Sequence, residues 1–257
     1  MDFFQTADTA NIAFHYDEGE RPTHVLLHGA YLASNEWQPQ MNALQGKSNL
    51  RIDLRGHGQS DKKGYPYSVG KFADDVKQLI EHLSLADVVV CGHSLGGMVA
   101  QSFAIRYPKY VSKLVLADTS YGVRSTWLET LFTNLTLPLF NLAPVAWQAS
   151  FFADQIGKFS ADARQYVETE IVKHAENPEN YREIWKAVTQ FSGYEHLKDI
   201  ECPTLILVGS LNKQTHKQAR MMEEQISNSS LVFIEKAGHM LNWDNPQQFN
   251  SALEQFV

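Results

Sequence analysis

The chain reads as an α/β protein, a mostly parallel sheet flanked by helices, and three observations predict this. Short apolar runs rich in Val, Ile and Leu recur at residues 12–16, 24–27, 50–54, 87–91, 114–117, 204–208 and 231–234. Such runs suit strands buried on both faces. Segments of helical periodicity lie among them at 37–44, 70–83, 94–107, 215–226 and 246–256, and alternation of strand with helix leads to parallel pairing. The pentapeptide Gly92-His93-Ser94-Leu95-Gly96 joins one run to one helix, a sharp strand-to-helix turn built around a serine.

The elements follow in order. The N-terminal Met1-Asp2-Phe3-Phe4-Gln5 has neither a basic segment nor an apolar one, so no secretory signal is expected. Run 24–27 ends at His28-Gly29, and run 50–54 leads into Arg55-Gly56-His57-Gly58. Run 87–91 feeds the serine turn, and run 114–117 ends at Asp118. Residues 122–198 then break the alternation. They hold no clear strand, only helical stretches punctuated by Pro138, Pro144, Pro178 and Gly193. The expected organisation is a core of residues 1–121 and 199–257 with a helical cap, 122–198, inserted over a strand-end site. The first half of the cap is rich in large apolar residues, among them Trp127, Phe140, Trp147 and Phe151. The sheet resumes at 204–208 and 231–234, followed by Ala237-Gly238-His239-Met240 and a closing helix.

Composition sets the outer bounds. A chain of 257 residues, 44% hydrophobic, can form one α/β domain. A net charge of −7 and a pI near 5.8 argue against nucleic acid or an anionic membrane as partner. No stretch approaches the roughly 20 apolar residues of a membrane helix, so a cytoplasmic location is expected. Cys91 and Cys202 are too few for a disulfide framework and read as small buried fillers.

The chemistry centres on Ser94. Glycines at 92 and 96 flank it where a Cβ would crowd the turn. The hydroxyl is then held at the carboxyl edge of the sheet. The Leu95 amide lies at a helix N-terminus, where donors are unpaired. A serine hydroxyl needs an adjacent base. Of ten histidines, His239 follows the last apolar run, at a strand end from which a base can reach a serine on a neighbouring strand. His28 and His57 also lie in turns near strand ends, and His93 flanks the serine. No histidine pair sits at metal-ligand spacing with a carboxylate, and no cysteine cluster exists. No glycine-rich phosphate-binding motif follows a strand. Neither a metal nor another cofactor is expected.

Four motifs stand in order along the chain: His28-Gly29, the run Asp53-Leu54-Arg55-Gly56-His57-Gly58-Gln59-Ser60, the turn around Ser94, and Ala237-Gly238-His239. On these the chain resembles the α/β-hydrolase superfamily over nearly its whole length. The resemblance implies a Ser94 nucleophile, a His239 base and an oxyanion hole formed by the amides of Leu95 and Ala30. His28, His57 and His93 would shape loops around the site. A serine nucleophile, in such a family, argues against epoxide hydrolysis and dehalogenation. The family places its triad acid three residues past the glycine that follows the seventh strand. Here that glycine is Gly209, and the position holds Asn212. An asparagine can orient the imidazole but cannot balance its charge. Asp118 follows the sixth strand of the family's count, where some lipases of the superfamily carry the acid. Asp118, Asn212 and a group not yet named are the three options for the third member.

The function expected from this reading is a serine hydrolase, carboxylesterase-like, acting on a small molecule with a hydrophobic part through an acyl-enzyme. Tyr31, Trp127 and Trp243 are candidate pocket residues. Two alternatives stand beside it. One is hydrolysis of a carbon–carbon bond or an enol-lactone by the same triad. The other is a weakly active ligand-binding or regulatory protein on the same fold. The sequence does not set the oligomeric state.

Overall fold

A computed structural model describes residues 1–122 and 142–257. Eight strands form one sheet: β1 Asp2–Gln5, β2 Asn11–Asp17, β3 Glu20–Leu27, β4 Lys47–Ile52, β5 Val88–His93, β6 Val111–Ala117, β7 Thr204–Gly209 and β8 Ser229–Ile234. Their spatial order is β1-β2-β4-β3-β5-β6-β7-β8. β2 is antiparallel to both neighbours, and every pair from β4 to β8 is parallel. The sequence runs do not anticipate β1, because this edge strand is mostly exposed and carries no buried apolar face.

Strand alternation divides the core in two. In β5, Val88 and Val90 enter one apolar cluster, while Val89 and Cys91 enter the cluster on the other face. Leu114 and Leu116 of β6, and Ile206 and Val208 of β7, join the first; Val115, Ala117, Leu205 and Leu207 join the second. Period-two geometry makes this split. Full burial of each such Val, Leu or Ile side chain contributes roughly 1.5–3 kcal/mol. Cys91 is buried as expected, but Cys202 is only half-buried, because it lies in the loop before β7 rather than within it.

The described helices are α1 Val69–His82, α2 Leu95–Arg106, α3 Val145–Ile156, α4 Ala161–Ala175, α5 Pro178–Gln190, α6 Lys213–Gln225, α7 Leu241–Asp244 and α8 Pro246–Phe256. Ser68 caps α1 by accepting from the Lys71 amide. α2 is buried along most of its length, since it lies under the sheet's central strands. One expected helix is different in kind. The spacing predicts a helix over 37–44, whereas Ser34–Gln40 forms a 3₁₀ turn with Pro39 inside it. Proline removes a donor that a regular helix would need there.

Between β6 and β7 the described residues hold α3, α4 and α5 and no named strand, only an isolated bridge from Gly122 to Ser192. Ser160 and Asn177 cap α4 and α5 through their side chains. Aromatic and polar contacts seat these helices on the strand ends. Tyr181 stacks on Tyr31 at 4.2 Å, and Tyr166 stacks on Trp243 at 4.9 Å. Asn180 donates to the Gly56 carbonyl at 2.8 Å and accepts from the Tyr67 hydroxyl at 3.0 Å. Among the described residues no helix is long and apolar enough to cross a membrane.

His174 of α4 is buried against His57, which is buried against His28, with ring centroids 5.1 and 4.9 Å apart. Burial, then the charges of Lys62, His28 and Lys173, pushes His174 down to about 3. Burial likewise lowers His28 and His57. A histidine that resists protonation when folded stabilises the fold fully above its ordinary value of 6.5. That contribution is lost as pH falls from 6.5 toward the folded value. For His174 the slope approaches about 1.4 kcal/mol per pH unit in that window. The stability of His174→Phe, followed by urea midpoints from pH 7.5 to 4.5, should therefore fall less steeply than the parent's. Parallel profiles would show that His174 does not titrate on unfolding.

Candidate active site

Ser94 stands between β5 and α2 with φ 51° and ψ −116°, a left-handed geometry that costs a non-glycine residue on the order of 1–3 kcal/mol. The surroundings over-determine it. Its amide donates to the Ala117 carbonyl at 3.0 Å, and its own carbonyl accepts from Gly97, Met98 and the Thr119 hydroxyl. Close approach explains the flanking glycines. A Cβ on Gly92 would lie 2.2 Å from the Gly96 carbonyl oxygen, and one on Gly96 would lie 2.1 Å from that of Leu27. Both obstacles are main chain and cannot swing aside.

The loop after β3 faces this turn. A Cβ on Gly29 would come within 3.4 Å of the Ser94 Cβ. The amides of Ala30 and Leu95 find no acceptor among the described residues. Ala30, Ser94 and His239 line one cavity of about 510 Å³. Unpaired donors beside a strained serine can hold an oxygen that gains charge.

His239 follows β8. The loop before it is tied down by the Asp244 carboxylate, which accepts from the Gly238 amide at 2.8 Å. Burial raises the Asp244 carboxyl above its ordinary value. Two side chains meet His239 Nδ1: Asn212 Nδ2 at 3.4 Å and Asp118 Oδ1 at 3.9 Å. They also meet each other, Asn212 donating to Asp118 Oδ1 at 3.0 Å. A carboxylate only accepts, so the amide must turn its nitrogen toward it. Asn212 consequently offers His239 a donor and not an acceptor. Asp118 is buried, with the Thr215 hydroxyl donating to Oδ1 at 2.5 Å and the Gly209 amide to Oδ2 at 3.4 Å. The two alternatives for the third member thus lie in one hydrogen-bonded cluster.

The other strand-end histidines are buried and bound to main chain. His28 Nδ1 donates to the Gly29 carbonyl, its Nε2 accepts from the Leu54 amide, and His57 Nδ1 donates to the Arg55 carbonyl. His93 is paired with Glu36 at 2.5 Å.

The cavity around Ser94 has an apolar wall from α3 and α5, including Phe152, Ile156, Trp185 and Val188. Tyr31 lines it, with its ring stacked on Tyr181. Trp243 does not line it. Its indole N–H donates to the Glu36 carbonyl at 2.7 Å and its ring stacks on Tyr166 of α4. Trp127 lies outside the described residues. A larger cleft of about 590 Å³, lined by Asp53, Lys62, Glu170 and Lys173, contains neither Ser94 nor His239. Glu36 and Thr215 are absent from the sequence reading. Neither stands in a local motif; only their long-range partners single them out. Among the described residues no group of three or more His, Cys, Asp or Glu could hold a metal ion.

A family model described as alpha/beta hydrolase fold matches residues 22–246. Over 98% of its length the chain is 26% identical to 3-oxoadipate enol-lactonase 2 of Acinetobacter baylyi, covering 96% of that protein. A solved hydrolase from Pseudomonas aeruginosa superimposes with a TM-score of 0.84 at 26% identity, over 99% of this chain and 97% of the other. An esterase from Exiguobacterium antarcticum superimposes at 0.86 with 23% identity, over 99% and 98%; at that identity the likeness is one of fold.

Proposed function

Because the chain belongs to the alpha/beta hydrolase fold family, we propose that it is a serine hydrolase cleaving a carboxylic ester or related acyl compound. The observation that carries this reading is the strained Ser94 sharing a cavity with Ala30 and His239, with the Ala30 amide and that of the adjacent Leu95 unpaired among the described residues. Ser94 Oγ attacks the acyl carbon while its proton passes to His239 Nε2. The carbonyl electrons move onto oxygen, held by the two amides. Collapse of the adduct expels the alcohol, which takes the proton from His239. Water, deprotonated by His239, then attacks the acyl-enzyme, and the acid is released as Ser94 Oγ leaves and takes that proton back from His239.

For Nε2 to accept, Nδ1 must carry a proton and needs an acceptor or anion near it. Asn212 presents its N–H edge, so Asp118 is the group suited to this role. The helical segment between β6 and β7 acts as the cap, and its apolar wall favours a substrate with a hydrophobic part. A small molecule of this kind is the partner that this reading implies.

A second reading draws on the Acinetobacter relative, named an enol-lactonase. A lactone is a cyclic ester, so the same steps would open it. Labelling with a fluorophosphonate probe tests the shared mechanism: an activated Ser94 reacts, whereas a purely ligand-binding protein stays unlabelled. Rates on linear p-nitrophenyl esters against a panel of lactones and diketones then separate the substrate classes. Labelling with faster turnover of the linear esters is expected; an unlabelled protein would sink the proposal.

A further inference from the structure

We propose that the buried Glu36–His93 pair braces the oxyanion hole against the base, making Glu36 and His93 positioning residues for the hydrolysis. The inference rests on the serine-hydrolase reading and adds to it two residues from outside the triad.

Both side chains are fully buried. Burying an acid costs stability unless it is paired and hydrogen-bonded, and apolar residues of similar volume would pack as well or better. What the ionic pair supplies and an apolar pair would not is direction. Each polar atom has a polar neighbour, Oε1 and Nδ1 meeting as an ion pair without an aligned hydrogen bond. Glu36 Oε2 accepts from the Gly29 amide at 2.7 Å, and Oε1 lies 2.5 Å from His93 Nδ1. His93 Nε2 donates to the His239 carbonyl at 2.8 Å. Gly29 precedes Ala30, a proposed oxyanion donor, and His239 is the proposed base. The path Gly29–Glu36–His93–His239 therefore spans the site from one catalytic element to the other. The Glu36 main chain ties in the same loop, its carbonyl accepting from Trp243 Nε1 and Asn242 Nδ2.

Proton bookkeeping agrees with a tight pair. The His239 carbonyl has no proton to give, so Nε2 of His93 carries one. A second proton on the ring, at Nδ1, makes His93 a cation, which the Glu36 carboxylate 2.5 Å away favours. Burial alone would push His93 down, but the Glu36 charge and bond, then Asp118 and the His239 carbonyl, hold it above its ordinary value.

A brace acts through distance, and a displacement of about 1 Å at a reacting group costs on the order of 10²-fold in rate. The test measures kcat and KM for p-nitrophenyl acetate, with thermal midpoints. Glu36→Gln can still accept from Gly29 and donate to a neutral His93, so it should keep kcat within about threefold of the parent. Glu36→Met and His93→Leu should each lower kcat by roughly 30- to 100-fold, the scale of a misplaced group, with KM little changed. The double variant leaves no buried charge unpaired, so its midpoint should return toward the parent's while kcat stays low. Parental kcat in the double variant would assign the pair to packing alone and overturn the proposal. So would a double variant that cannot fold, or a Glu36→Gln as slow as Glu36→Met. Should one single variant fail to fold, the double variant decides. A parent protein that neither labels with fluorophosphonate nor hydrolyses the ester sinks the underlying functional reading instead, before any variant is compared.

Discussion

Ser94→Ala is expected to lower hydrolysis of activated short-chain esters by about 10⁶-fold, the scale seen for nucleophile knockouts in serine proteases. The loss is chemical rather than structural. The turn is held by main-chain bonds: the Ser94 amide to Ala117, and its carbonyl from Gly97, Met98 and Thr119. Alanine keeps all of them and loses only the hydroxyl. The left-handed backbone, φ 51°, is about as costly for alanine as for serine. Initial rates with p-nitrophenyl acetate and a thermal melt by circular dichroism check both halves. The melt should stay within a few degrees of the parent. A folded variant retaining more than a few per cent of the activity would mean that another group attacks the substrate.

Asp118→Asn is expected to cost turnover on the order of 10⁴-fold, by analogy with the same change in the serine-protease triad. Asn212→Ala should cost far less, within about 30-fold if it loses only orientation of its neighbours. The ordering follows from charge. A forming imidazolium in a desolvated site needs a compensating anion. Asp118 Oδ1 lies 3.9 Å from His239 Nδ1, and Asn212 spans the two with its N–H edge turned to the carboxylate. Removing the Asn212 amide leaves the anion and its Thr215 donor in place. Removing the Asp118 charge leaves two neutral amides facing the base. Single-turnover rates for both variants, each with a thermal melt to exclude unfolding, decide between them. A reversed ordering would return the acid role to position 212, and equal small effects would point to a third group.

Most of the alternation of strands and helices, the serine turn and the histidine proposed as base were legible in the linear chain. Each rests on short-range chemistry: valine-rich runs that need burial on both faces, glycines where Cβ atoms would strike main chain 2.1–2.2 Å away, and a histidine in the turn after a strand. β1 escaped because an exposed edge strand need not carry an apolar pattern. Residues 37–44 misled because helical spacing does not report how Pro39 tightens the turn.

By itself, then, the sequence determined the α/β architecture and singled out the two residues proposed here for the chemistry, because both are written in local spacing. Tertiary structure alone decided who surrounds them. Asp118 and Asn212 are 94 residues apart and share a cluster because β6 and β7 are adjacent in the sheet. Glu36 meets His93, and Trp243 turns away from the cavity to Glu36 and Tyr166, through contacts between elements remote in the chain. Periodicity tells a segment which face to bury. Which other segment lies against that face depends on strand order and on crossovers of many residues, and no local pattern records either.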